Sequence, residues 1–195
     1  IMPREGVFTE VLVGGDIKVG DEVIMIPPEE NRPFTAAIIT VSDKGSKGER
    51  VDESGPVIEK MLKEAGYDVK EMLVIPDEQN VIAHQLSRLA DQRQINLILT
   101  TGGTGFAVRD VTPEATISVC EKMAPGIAEA VRANSMKYTP RAMLSRAAAG
   151  IRKGSLIVNL PGSPKAVTET LEFLIPNVEH GLQILKGTAS ECARK

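Results

Sequence analysis

Three stretches of this chain have residue types and spacings suited to a phosphorylated ligand. Thr100-Thr101-Gly102-Gly103-Thr104-Gly105 places three glycines in four positions, so its backbone can turn sharply and present N–H donors to an anion. It is neither a Walker A loop, since no Gly-Lys-Ser/Thr follows, nor a complete GxGxxG fingerprint. Read alone, it serves equally well as a tight connection. Five residues past Gly105 stands Asp110, followed by Val111 and Thr112-Pro113-Glu114. Thr112 as N-cap with Pro113 at the first helical position predicts a helix start. Asp110 then precedes a helix N-terminus, where a carboxylate can hold a cation or orient a hydroxyl while amides meet a phosphate. Plain loop or cap structure is the alternative for Asp110, and pure capping explains Thr112, Pro113 and Glu114 as well as ligand contact does.

The third stretch is Pro161-Gly162-Ser163-Pro164-Lys165. Gly162 permits close approach, Ser163 with Pro164 can open a last helix, and Lys165 either meets a phosphate as a point charge or is simply solvated. Asp77, after Ile75-Pro76 and beside Glu78, supplies a second carboxylate; Asp43 is a third that reads better as a surface turn. Carboxylates close to glycine-rich anion cradles are what a Mg²⁺-assisted reaction at a phosphate needs, because the metal takes the carboxylates and the phosphates take N–H donors.

These stretches follow apolar runs. Ala36 to Val41 is a short continuous apolar segment, as expected of a parallel strand covered on both faces. Val57, Ile58, Met61, Leu62 and Ala65 recur at helical spacing before Gly66 closes the segment. Tyr67 to Ile75 reads as a second strand, Val81 to Ala90 as a second amphipathic helix, Ile95 to Thr101 as a third strand and Leu156 to Leu160 as a fourth. Ala-rich helix is expected over 113–150, broken at Pro125-Gly126 and Pro140, and the closing helix is expected to be interrupted near Pro176. Alternating strands and helices predict a doubly wound, mainly parallel α/β sheet with helices on both faces, whose ligands bind beyond the carboxyl ends of the strands.

Ahead of this domain, residues 1–26 read as short β segments, an N-terminal β appendage too small for its own core. The proline-rich and charged residues 27–33 read as a linker, the α/β domain as 34–187 and residues 188–195 as a tail. The opening Ile before Met reads as a piece of a longer polypeptide.

Composition narrows the function classes. With 195 residues, 42% apolar and 25% charged, the chain suits one substantial globular domain. Twenty-six acidic against 23 basic residues leave a net charge of −3, which argues against a general nucleic-acid or anionic-membrane binder. No Trp, two Tyr and four Phe are too few for a base-stacking platform. Cys120 and Cys192 lack metal or disulfide spacing, and His84 and His180 read as surface or packing residues. No apolar run approaches the roughly 20 residues of a membrane span and no signal-peptide core is present, so a cytoplasmic chain is expected.

Taken in order, Thr40-Val41-Ser42-Asp43, Asp52-Glu53-Ser54-Gly55-Pro56, Ile75-Pro76-Asp77-Glu78, Thr100 to Gly105, Arg109 to Ala115, Leu144-Ser145-Arg146 and Asn159 to Lys165 closely resemble the MogA/MoaB family of molybdenum-cofactor biosynthesis proteins. The resemblance runs from about Phe34 to Gly187. It implies a molybdopterin adenylyltransferase: with Mg²⁺, the terminal phosphate of molybdopterin attacks the α-phosphorus of ATP and releases pyrophosphate. It implies that Asp77 and Asp110 are the catalytic acidic positions and the Mg²⁺ ligands. Thr101, Gly102, Gly103, Thr104, Gly105, Thr112, Pro113, Glu114, Pro161, Gly162, Ser163 and Lys165 are then the substrate and nucleotide loops. It also implies a homotrimer, with hexamers in some members, and partner proteins of cofactor synthesis. A molybdopterin-binding or carrier module without catalysis is the alternative. Residues 6–23 resemble the last strands of a MOSC domain; no cysteine precedes Cys120, so no sulfur chemistry is expected.

Overall fold

The computed structural model describes residues 16, 18–22 and 33–187. The MOSC-like ribbon, the linker before Pro33 and the tail with Cys192 lie, apart from those few positions, outside the described residues. The chain divides into two units, Ile1–Arg32 and Pro33–Lys195. In the first, a turn is closed by Lys18 N–H to the Asp21 carboxylate at 2.7 Å and Asp21 N–H to the Lys18 carbonyl at 3.1 Å.

The second unit is built on six strands: β1 (Thr35–Val41), β2 (Asp68–Ile75), β3 (Leu97–Thr101), β4 (Lys122–Met123), β5 (Ala149–Arg152) and β6 (Ser155–Leu160). Their spatial order is β2-β1-β3-β6-β5-β4. The first four of these run parallel, and β5 and β4 add an antiparallel edge. The helices are α1 (Asp43–Ser46), α2 (Ser54–Glu64), α3 (Gln79–Asp91), α4 (Thr112–Val119), α5 (Pro125–Ser135) and α6 (Pro164–Lys186), with a 3₁₀ turn at Pro140–Leu144.

The central strands β1, β3 and β6 are largely apolar because both their faces are covered, and their period of two sorts the side chains between two cores, while the edge strand β2 carries Asp68, Lys70 and Glu71. Ala36, Ile38, Leu97, Leu99, Leu156, Val158 and Leu160 pack with Ile58 and Leu62 of α2 and Val167, Leu171 and Leu174 of α6. Ala37, Ile39, Ile98 and Ile157 face the other way, against Ile82, Leu86 and Leu89 of α3 and Ala115 of α4. Fully burying one such Leu or Ile contributes about 1.5–3 kcal/mol, so the central strands hold the unit together.

The two layers create the cleft. From β1 the chain passes through α2 on one face to β2, then crosses through α3 on the opposite face to β3, on the other flank of β1. The winding therefore reverses between β1 and β3, and the loops leaving their carboxyl ends part there, opening a crevice.

Three sequence expectations give way. Residues 113–150 are not continuously Ala-rich helix: Lys122–Met123 and Ala149–Arg152 are strands, and Ala147 and Ala148 are buried in an extended approach to β5. Small side chains fit a sheet edge as closely as a helix face, so alanine content does not separate the two. Pro125 does not break a helix but begins α5, where its missing N–H costs nothing. Pro176 sits inside α6, which runs on to Lys186, held by Leu174, Val178 and Leu182 in the core. Tertiary burial there outweighs one lost backbone bond.

Candidate functional site

The crevice encloses about 680 Å³, in the range of ligand-binding clefts. Of the residues expected from sequence, Asp77, Thr101, Gly102, Gly103, Gly162 and Ser163 line it. Gly102 and Gly103 have φ of +96° and +63°, backbone that glycine adopts without penalty. A side chain at Gly102 would lie 2.4 Å from the Val41 carbonyl, and one at Gly103 would lie 2.3 Å from Thr112 Oγ1 and 3.1 Å from Asp77 Oδ1. Both positions therefore require close backbone approach.

Thr112 shapes this loop. Its hydroxyl donates to the Gly102 carbonyl at 3.0 Å and its N–H to the Gly103 carbonyl at 3.1 Å. Across planar trans peptides, the amides of Gly103 and Thr104 then point away from Thr112. The sequence reading of Thr112 as the N-cap is corrected: Val111 caps α4 without a side-chain bond, and the fully buried Thr112 is the first helical residue. Its hydroxyl donates to the loop carbonyl of Gly102 and accepts from no N–H of the helix start. Pro113 is buried behind it.

The loop after β6 is pinned from two sides. Thr101 Oγ1 donates to the Pro161 carbonyl at 2.6 Å and Ser54 Oγ to the Gly162 carbonyl at 2.9 Å. Ser163 caps α6, accepting from Ala166 N–H. Below it, buried Asn159 satisfies both ends of its amide: Nδ2 reaches Thr100 and Thr116 hydroxyls at 2.9 and 2.8 Å, and Oδ1 accepts from Ala148 N–H at 3.0 Å. Lys165 points away into solvent, 3.9 Å from Glu169.

Thr40, Ser42, Arg50 and Asp52 also line the crevice; the motifs at 40–43 and 52–56 contain three of them, but the sequence reading gave none of the four a role in the site. Asp52 Oδ1 accepts from Ser54 and Gly55 N–H, and its Oδ2 accepts from Thr40 Oγ1 at 2.7 Å, so one carboxylate starts α2 and ties it to β1. The spacing Asp52-x-Ser54-Gly55 was a legible turn signal.

Asp77 and Asp43 exchange backbone hydrogen bonds: Asp43 N–H donates to Asp77 Oδ2 at 2.8 Å, and Asp77 N–H to Asp43 Oδ1 at 3.1 Å. Arg109 forks onto Asp43, with Nε at 3.0 Å from Oδ2 and Nη2 at 2.7 Å from Oδ1. Asp43 is thus part of the site's frame, not the surface turn that sequence favoured. The Arg109 bond holds the Asp43 carboxyl below its ordinary range. Burial moves Asp77 the other way, with the charges of Asp43 and Asp110 adding to the rise. A desolvated carboxylate facing two others is a place where a cation is favourable.

Asp110 and Glu114 open onto a second, shallower cleft of about 550 Å³ with Phe106, Val108 and Arg146. Asp110 accepts from Ala107 N–H at 2.8 Å and lies beside Gly105. Arg146 gathers this region, donating to the Gly105 carbonyl at 2.6 Å, to the Asp110 carbonyl and to Glu114, while the Thr104 carbonyl accepts its backbone N–H. Among the described residues no three His, Cys, Asp or Glu converge as a metal cluster. Both histidines are exposed, on α3 and α6, and burial pushes the half-buried Cys120 thiol up to about 11. No helix among the described residues is long and apolar enough to cross a membrane.

Comparison with known proteins gives the same part of the chain a family. Residues 37–180 match the family described as probable molybdopterin binding domain. The chain is 42% identical over 160 residues to a molybdopterin adenylyltransferase of Helicobacter pylori, covering 81% of this chain and 91% of that one. It is 39% identical over 171 residues to that of Escherichia coli K12, covering 80% and 87%. The crystal structure of the molybdopterin biosynthesis enzyme MoaB from Thermus thermophilus superposes with a TM-score of 0.75 at 44% identity, over 79% of this chain and 97% of that one. The matched residues span every strand and most of the helices that frame the crevice, and the chain belongs to the molybdopterin-binding family of MogA and MoaB.

Proposed function

We propose that this chain is a molybdopterin adenylyltransferase acting in molybdenum-cofactor biosynthesis, with ATP and molybdopterin as substrates. The observation that carries the site reading is convergence: the Gly102-Gly103 cradle, the N-termini of α2 and α6 and the desolvated Asp77 meet in one crevice. The helix starts at Ser54 and Pro164 present partial positive charge to anionic groups. The amides of Gly103 and Thr104 and the capped turn at Gly162-Ser163 bind phosphate oxygens.

In the reaction, a phosphate oxygen of molybdopterin forms a bond to the α-phosphorus of ATP while the bond from that phosphorus to the bridging oxygen breaks, and pyrophosphate leaves with the electron pair. Asp77 and Asp110 would hold Mg²⁺, the charge of Asp110 reaching Asp77 from the neighbouring cleft. Two carboxylates with the remaining positions left to phosphates and water suit this ion, and the upward pull on Asp77 from burial and neighbouring carboxylates is relieved by a cation. Bound there, the ion would neutralise charge on the α-phosphate under attack and on the departing pyrophosphate. The rest is positioning by the chain: the cradle fixes the phosphates, and Asn159 fixes the strand ends from below.

Incubation with radiolabelled ATP, Mg²⁺ and purified molybdopterin tests this. Labelled adenylylated molybdopterin with release of pyrophosphate is expected; tight molybdopterin binding without transfer would establish the carrier reading instead. We further propose a cytoplasmic homotrimer, tested by light scattering. What supports the trimer is family membership; the stretch 142–150, read from sequence as Ala-rich helix, is a 3₁₀ turn leading into β5 and offers no helical face for it.

A further inference from the structure

We propose that Asp43 and Arg109 form a bracket that fixes Asp77 relative to Asp110, making both of them positioning residues for adenylyl transfer. This rests on the assignment of Asp77 and Asp110 to the reacting phosphates.

The loop that carries Asp110 has little apolar anchorage at its tip, where Phe106 is 71% and Val108 97% exposed. Polar contacts must hold it. Within the loop, Ala107 N–H donates to the Asp110 carboxylate and Asp110 N–H to the Ala107 carbonyl. Arg146 clasps its base through the carbonyls of Gly105 and Asp110. None of these bonds reaches the loop after β2, which carries Asp77. Arg109 makes that crossing with its two-point fork onto Asp43, and Asp43 passes it on through the reciprocal bonds with Asp77. The path Asp77, Asp43, Arg109, Asp110 has a covalent last link, since Arg109 and Asp110 are adjacent.

A guanidinium fork sets orientation as well as distance, which a single contact does not. Arg109 also lies in the fields of Asp43, Asp77 and Glu78, and Lys47 adds a cation on the Asp43 side. It offsets the repulsion that would otherwise spread the carboxylates. Exposed ion pairs contribute little to folding, so the consequence of this one falls on geometry, where displacing a reacting group by about an ångström can cost on the order of 10²-fold in rate.

The experiment is steady-state adenylyl transfer with the full chain, ATP, Mg²⁺ and molybdopterin, comparing Asp43→Asn, Arg109→Gln, the double variant and Arg109→Lys. Each of the first two is expected to lower kcat by about 10- to 100-fold with KM for ATP within about threefold. The double variant should be no slower than the worse single one, because both remove the same bracket. Arg109→Lys, which keeps the charge and loses the fork, should stay well below the native rate. A raised KM with unchanged kcat would make Arg109 a substrate ligand and overturn the proposal, as would losses that multiply in the double variant. If Arg109→Gln fails to fold, Asp43→Asn decides alone, and a native kcat in it overturns the bracket. Full activity in Asp77→Ala and Asp110→Ala removes the site assignment together with this inference; loss in those two with native kcat in Asp43→Asn and Arg109→Gln removes the bracket alone.

Discussion

The two ends of the parallel sheet use similar residues to opposite effect. At the carboxyl end, Arg109 forks onto Asp43; at the amino end, Arg152 forks onto Asp91, with Nε at 2.9 Å from Oδ1 and Nη2 on Oδ2, and Nη1 at 2.8 Å from the Val119 carbonyl. Lys153 adds a second cation 3.3 Å from Asp91. The amino end is electrostatically closed: Arg152 holds the Asp91 carboxyl below its ordinary range, and its neighbour cluster Thr35 with Asn96 is saturated by reciprocal bonds of 3.0 to 3.1 Å. The carboxyl end is left open, because Asp77 gains only a backbone donor while burial and two nearby carboxylates push it upward. Helix direction explains the contrast. α2, α3, α4 and α6 all begin at the carboxyl end and bring partial positive charge to it, whereas the C-terminus of α3 lies at the amino end, where Arg152 and Lys153 stand beside Asp91. A fork between Asp and Arg is thus a closed structural tie at one edge and the frame of an unsatisfied site at the other.

Removing the unsatisfied carboxylates should have the largest effect. Asp77→Ala and Asp110→Ala are each expected to reduce adenylyl transfer by at least about tenfold with the fold intact by circular dichroism. Near-native rates in both would erase the functional half of the contrast. Next, Gly103→Val should abolish measurable ATP binding by calorimetry, and left-handed backbone with a branched side chain 2.3 Å from Thr112 Oγ1 should also lower stability by more than about 1–2 kcal/mol. Unchanged affinity in that variant would take the cradle out of the site.

The closed edge should answer differently. Arg152→Ala is expected to cost about 1–3 kcal/mol, read as a shift in thermal unfolding, because the fork is largely shielded from water, and to leave kcat and KM unaltered. A rate loss there would mean that the two edges are coupled. The smallest effect is a pH-dependent one. Because Asp77 has its pKa raised on folding, the native state holds its proton more tightly than the unfolded chain, and stability from this group falls as pH rises through the window above the ordinary value of 3.8. Asp77→Asn should therefore be slightly more stable than the native protein at pH 7, with the gain shrinking as pH falls toward 4. An equal difference at both pH values would show that burial is not what raises Asp77.

Much of this architecture was legible in the chain. The runs at 36–41, 97–101 and 156–160 are apolar at most positions that pack on a helix, since parallel strands are covered on both sides, and α2 and α3 keep their 3.6-residue period for the complementary reason. Gly102, Gly103, Gly162, Ser163 and Asp77 were legible because strand ends followed by glycine and helix-start residues leave few other conformations. Residues 120–152 were not, since alanine, cysteine and methionine carry no period that separates a short edge strand from a helix.

Sequence by itself determined where the four parallel strands end, because local backbone preference and hydrophobic period act over a few neighbours. Tertiary structure alone decided the rest: that the Thr112 hydroxyl serves Gly102 and not its own helix, that Asp52 joins β1 to α2, and that Asp43 stands between Arg109 and Asp77. Those pairings span as many as 66 residues of chain. They exist because the sheet's reversal between β1 and β3 brings distant loops to one edge, where charge and burial, which no local window contains, set what each side chain can do.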